Sequence, residues 1–201
     1  RSVTIKNVLF SDLQRGVTVM PVTNQSFYYF NNSTMDDVRE YGISASGGIS
    51  LFYVSCSLFA SVTNQVLLTG VTYIVQSCAV YNSPTQALGA VKIVSSDPFL
   101  TGTYGDHYIN QATNLVNGGY LSGSYWGLFH YTTATNHLKE SNTVVDIGFH
   151  YPTPVDTDGD GLYDFMEDAN GNGTYDTSDT TDYTNSDTDG DGMSDGWEVE
   201  H

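Results

Sequence analysis

Positive charge is scarce in this chain. Six Lys and Arg stand against 23 Asp and Glu, for a formal net charge of −17. No basic patch is available to a phosphate backbone, so no nucleic-acid partner is expected. Long apolar runs are also missing, which leaves no membrane span in this sequence. Cysteine is limited to Cys56 and Cys78. Helical periodicity is almost absent from residues 1–100. The histidines, His107, His130, His137, His150 and His201, show neither His-x-x-x-His nor a Glu-paired zinc spacing. No Gly-x-Ser-x-Gly elbow occurs. No leader is evident between Arg1 and His201, and both ends look cut from something longer. The missing leader therefore says little about destination.

The negative charge is concentrated. Residues 151–201 hold 15 of the 23 carboxylates and no Lys or Arg. The shift falls at Tyr151-Pro152-Thr153-Pro154, a short stiff linker. Beyond it one register occurs three times. Oxygen-bearing side chains stand at loop positions 1, 3 and 5: Asp156, Asp158 and Asp160; Asp168, Asn170 and Asn172; Asp187, Asp189 and Asp191. Gly follows at position 6. Asp164, Asp176 and Asp195 stand at position 9, and Glu167, Asp179 and Glu198 at position 12. Leu162, Thr174 and Met193 hold position 7, where a backbone carbonyl points inward. A calcium-sized cation takes six to eight oxygens in a flexible shell, and such a segment supplies them. The register predicts about three calcium ions, which act as folding cofactors for a self-repelling tail. A solvated acidic tail would not repeat the register. An EF-hand would need flanking helices, and Asp168 follows Glu167 directly. Millimolar free calcium points to an extracellular or cell-surface setting.

The phrase Asp-Thr-Asp-Gly-Asp-Gly-Leu-x-Asp-x-x-Glu resembles the thrombospondin type 3-like calcium repeats of bacterial surface proteins. The likeness covers about the last quarter of the chain and weakens at Asn170 and Asn172. It implies that neighbouring loops share carboxylates.

Residues 1–100 are rich in Val, Ile, Tyr, Phe, Ser, Thr and Asn in short alternations, so the fold class is all-β. A phrase recurs from Ile5, Phe30, Tyr53 and Val75, at offsets of 25, 23 and 22 residues, with a fifth copy near Val94. That repeat fits a parallel β-helix of about four or five coils, each burying its apolar face on the next. The expected inward ladders are Ile5/Phe30/Tyr53/Val75, Val8/Ser33/Cys56/Cys78 and Phe10/Met35/Leu58/Val80. Asn7, Asn32, Ser55 and Ser77 are expected at a corner. Stacked Cys56 and Cys78 are expected as buried free thiols, since parallel side-chain vectors suit a disulfide poorly. An antiparallel β-sandwich explains the strand content but not the spacing.

Residues 97–150 are loop-rich. The stretches Gly105-Asp106-His107-Tyr108-Ile109, Asn114-Leu115-Val116-Asn117-Gly118-Gly119 and Val144 to Tyr151 resemble the closing segment of right-handed parallel β-helix regions in large bacterial surface proteins. Trp126, Phe129, Tyr131 and Tyr151 are the expected lid over an open coil end. The organisation read from sequence is thus coils over 1–96, a capping segment over 97–151 and calcium repeats over 152–201.

Catalysis is not favoured. Asp36-Asp37 beside Arg39-Glu40 is the one charged cluster on the coils, and it reads more readily as a solvated turn than as an acid–base pair. Sequons at Asn24, Asn31, Asn32 and Asn172 offer glycan attachment. The function expected is a non-catalytic structural or adhesive module stiffened by calcium. Two alternatives are a filament subunit that stacks on copies of itself and a β-helix that binds or cleaves carbohydrate, such as cell-surface glycans. An aromatic-lined groove with a basic residue would mark the latter.

Overall fold

The computed structural model describes residues 2–19, 26–47, 51–84 and 91–201. Strands dominate, and they pair mostly in parallel. β1 (Ser2–Lys6), β3 (Phe27–Asn31), β5 (Leu51–Ser55) and β8 (Tyr73–Gln76) form one parallel sheet in that order. β2 (Leu9–Val19), β4 (Thr34–Ser46), β6 (Leu58–Ala60), β9 (Ala79–Tyr81) and β10 (Lys92–Val94) form a second. β7 (Val66–Thr69) pairs with the far half of β4. The chain thus visits one sheet, then the other, and returns one strand further along. Parallel ladders correct the antiparallel sandwich alternative: every pairing in these two sheets runs the other way from what it requires.

Each passage turns at residues in the left-handed region. Asn7, Asn32, Cys56 and Ser77 mark one corner, and Asp12, Asp37, Ser61 and Asn82 another, with φ between 44° and 53°. Within each set the intervals are 25, 24 and 21 residues. Asn and Asp enter this region at least cost among side-chain-bearing residues. Hydroxyls just past the corners tie rungs together. Ser33 Oγ accepts from Val8 N at 3.1 Å, and Ser57 Oγ accepts from Ser33 N at 3.3 Å.

These corners correct the ladders expected from sequence. The observed rows are Ile5, Phe30, Val54 and Val75, and Phe10, Met35, Phe59 and Val80. Tyr53 and Leu58 face outward, one residue from the expected places. Cys56, not Ser55, takes the corner, and Ser57 fills the row of Ser33 and Cys78. Matching Cys56 to Cys78 slips the third rung by one residue, and a one-residue slip turns every side chain to the opposite face. A fifth strand continues the second sheet, with Ile93 level with Val80 rather than a new phrase starting at Val94, and the first sheet has four strands among the described residues. Asp36 and Asp37 lie within the span of β4, at the bend where exposed Asp37 marks the corner. Asp36 meets His107 Nε2 at 3.1 Å, and Arg39 pairs with Asp12 and Asp37.

The interior holds Phe30, Met35, Phe52, Val54, Phe59 and Val80, all buried. The outer face of the second sheet is apolar too. Leu58, Ala60 and Ala79 lie under Ile109, Leu115 and Ile147. Residues 97–151 supply that cover, with an antiparallel pair of β11 (Phe99–Gly102) and β12 (Gly105–Ile109) and a short pair of β13 (Tyr131–Thr132) and β14 (Tyr151–Pro152). The segment crosses the rungs in turn. His150 N donates to Asn7 Oδ1 (2.7 Å), Phe149 N to Thr34 Oγ1 (2.9 Å) and Gly148 N to Cys56 O (3.0 Å). It therefore lies along the flank of the stack, not across an end. Trp126 and Tyr131 pack on Cys56, Leu128 and Val145, and Tyr151 stacks on Tyr108 at 4.3 Å. Among the described residues, no helix is long and apolar enough to cross a membrane.

Both thiols are free and buried. Desolvation pushes Cys56 up to about 11 and Cys78 up to about 12. Neither is a thiolate at neutral pH. Native protein at pH 8 is expected to resist iodoacetamide at both positions and to react at both in urea. Rapid native labelling, read by mass spectrometry, would contradict this packing.

Candidate metal centre

The three loops fold alike because each repeats the same local hydrogen bonds. The position-1 carboxylate caps the turn. Asp156 accepts from Gly159 N (2.7 Å) and Gly161 N (3.2 Å), Asp187 from Gly190 N (2.8 Å) and Gly192 N (2.9 Å), and Asp168 from Asn172 N (3.1 Å) and Gly173 N (2.6 Å). Positions 3 and 5 each accept from the backbone two residues on, as in an Asx turn. Leu162 N, Thr174 N and Met193 N donate to Asp160, Asn172 and Asp191 in this way. Glycines at positions 4 and 6 have φ between 67° and 105° in all three loops. At positions 3 and 5 one side-chain oxygen is thereby fixed, while the position-1 carboxylate engages both of its oxygens. Asp156, Asp158 and Asp160 bring oxygens within 4.8 Å of one another, as do Asp187, Asp189 and Asp191.

A third cluster joins loops distant in sequence. Asp160, Glu167 and Asp195 converge within the same limit. Gly196 N donates to Asp160 Oδ2 at 2.7 Å, which locks loop three onto loop one. Two short helices set the carboxylates: α1 (Asp164–Glu167) presents Glu167, and α2 (Asp195–Glu200) presents Asp195. Glu167 is fully buried, and neither carboxylate oxygen has a hydrogen-bond partner. The Thr181 hydroxyl lies beside it, short of a well-formed hydrogen bond, and is the one neighbour that draws its value back down. Burial, then Asp158, Asp160 and Asp164, push Glu167 up to about 7. Slight desolvation and the charges of Asp189 and Asp191 also raise Glu198, which is exposed. A buried carboxylate without a donor is costly unless a cation meets it. The donors are oxygen throughout, which suits a hard divalent ion such as calcium.

Several positions play other parts than the register suggests. Asp164 at position 9 accepts from Thr157 N and Oγ1 (both 2.8 Å) and from Lys139 Nζ (2.9 Å). Asp195 accepts from Thr188 N (2.9 Å) and Oγ1 (2.6 Å). These carboxylates brace their own loops, and only Asp195 also reaches a cluster. In loop two, Asn170 and Asn172 turn their amides to Asp176 at 3.0 and 2.9 Å, while Asp179 accepts from Ala169 N and Asp176 N. That loop assembles no cluster of three carboxylates among the described residues. It docks instead. Asp168 meets buried His130 Nε2 at 3.0 Å, and Phe129 N donates to Gly171 O at 3.0 Å. Burial holds His130 below its usual value. His130 and Lys139 carry no metal-ligand spacing, so the sequence offers no sign of this role. Thr at position 2, shared by loops one and three and replaced by Ala169 in loop two, is the one legible trace of the brace.

Of the sequons, Asn31 is 6 % exposed and Asn32 0 %, so a glycan has no exit from either. Asn172 is half-buried and engaged with Asp176. Asn24 lies outside the described residues.

Residues 187–201 match a family model described as Bacterial TSP3 repeat. The match covers the third loop and α2, and it supports a calcium-binding repeat in the tail. No curated protein and no solved structure matches the chain.

Proposed function

We propose that the chain is a non-catalytic extracellular structural module. In this reading the rungs form a right-handed parallel β-helix over 1–96, flanked by 97–151, with a tail over 152–201 set by calcium. The observation that carries it is Glu167, buried beside Asp160 and Asp195 where loops one and three meet, with no well-formed hydrogen bond to either oxygen. Two ions in the Asp156 and Asp187 loops and one at Asp160, Glu167 and Asp195 complete the tail. Loop two, with two amides in place of carboxylates, binds weakly and serves as the dock. The tail holds 15 carboxylates without a Lys or Arg, so without cations it repels itself. Loops of this class bind in the range of extracellular free calcium, which favours action outside the cell.

Calorimetric calcium titration of the full chain tests this, with trypsin-independent proteases such as Glu-C applied to the same samples. About three ions per chain are expected, with residues 156–198 protected only when loaded. Absence of binding at millimolar calcium, with equal digestion in chelator, would sink the proposal.

A further inference from the structure

An open groove of about 260 Å³ lies outside the calcium loops, between the first sheet and residues 120–126. Its floor is the outward face of β3, β5 and β8. Tyr29 and Tyr53 form one row there, with ring centroids 6.2 Å apart. Asn31, Ser55 and Gln76 form a second, polar row on successive rungs. The wall is Tyr120, Tyr125 and Trp126. It is held in place by Trp126 Nε1 donating to Tyr120 O (2.5 Å), Tyr120 N donating to Cys56 Sγ (3.2 Å) and Lys6 Nζ donating to Trp126 O (2.8 Å).

We infer that this groove binds a neutral saccharide. Five aromatic side chains line it, and Tyr120 and Tyr125 are 45 % and 68 % exposed. Rings fixed at a wet surface match the C–H face of a pyranose, which is apolar on one side and hydroxylated at its rim. Of the polar row, Gln76 is the partly exposed member that meets that rim, and Asn31 and Ser55 lie buried beneath it. Ser55 Oγ donates to Asn31 Oδ1 (2.7 Å) and Tyr53 Oη to Gln76 Oε1 (3.2 Å). These bonds occupy the two amide oxygens and fix the row in place. Parallel rungs repeat about every 4.8 Å, so Tyr29 and Tyr53 present rings at successive levels along the floor. No charged side chain lines the groove. An acidic sugar would find no partner there and would approach a chain of net charge −17. The volume suits a short saccharide, not a folded partner.

The test is calorimetric titration of the calcium-loaded full chain with cellohexaose, xylohexaose, mannohexaose and chitohexaose, with polygalacturonate for comparison. Binding of at least one neutral probe is expected. Tyr125→Ala is expected to weaken it about tenfold, because an exposed stacking ring is lost without touching the core. Tyr104→Ala, a half-exposed ring outside both the groove and the calcium loops, is expected to leave affinity unchanged. Three results would overturn the assignment: no neutral probe binding at millimolar concentration, binding indifferent to Tyr125→Ala, or preference for polygalacturonate. Loss of calcium binding is read separately, so the two proposals fail independently.

Discussion

Glu167→Gln is expected to change sign with calcium. In the loaded protein it removes one of the two buried carboxylates of the cluster where loops one and three meet, and calcium affinity falls at least about tenfold. In chelator the same substitution stabilises the chain by about 1 kcal/mol at pH 8, because an ionised buried group is replaced by a neutral one. Urea unfolding of both proteins, with and without calcium, reads both effects. A substitution that destabilises equally in the two conditions would show that Glu167 holds the fold by packing alone.

The pH dependence follows from the same group. Glu167 is an acid whose folded value, about 7, lies above the ordinary 4.5. Its favourable contribution to the metal-free fold is complete below about pH 4.5 and is lost as pH rises through about 7. Calcium requires the ionised form, so its affinity runs the other way and rises across that window. Proton release on binding, measured in buffers of different ionisation heat, should be larger at pH 6 than at pH 8.

The calcium loops are legible in sequence because they are local. Capping by position 1, Asx turns at positions 3 and 5 and glycines at 4 and 6 all close within a dozen residues. The partnership of loop one with loop three is not legible. It rests on a backbone N–H of Gly196 reaching Asp160 across 36 residues, and a backbone donor leaves no mark on residue type. His130 is hidden for a similar reason, since its carboxylates lie 34 and 38 positions away. Parallel strand content is legible in the recurring phrase, yet the third rung is not. Cys56 at a corner where the other rungs place Asn7, Asn32 and Ser77 invites alignment with Cys78, and that match shifts the register. The flanking position of residues 97–151 depends on the outward apolar row of Leu58 and Ala79, which only the correct register exposes.

Gly171→Ala is expected to release loop two from the strand-rich part. Gly171 and Gly127 both have φ near +67°, and their backbones touch across the seam. A Cβ on Gly171 would collide with the Gly127 carbonyl and press on the Phe129 N–H to Gly171 O bond beside it. Gly159 separates strain from collision. It holds the same loop position with φ +81°, and nothing lies within 4 Å of a Cβ there. Gly159→Ala therefore bears the left-handed penalty alone, about 1 kcal/mol. Gly171→Ala bears that penalty plus the displaced backbone, about 2–4 kcal/mol. Denaturant unfolding in saturating calcium compares them. The excess for Gly171→Ala measures what the dock contributes, and faster proteolysis confined to residues beyond 152 would locate the loss. Equal losses would mean that the tail folds on its calcium loops alone and that the seam contributes contact without stability.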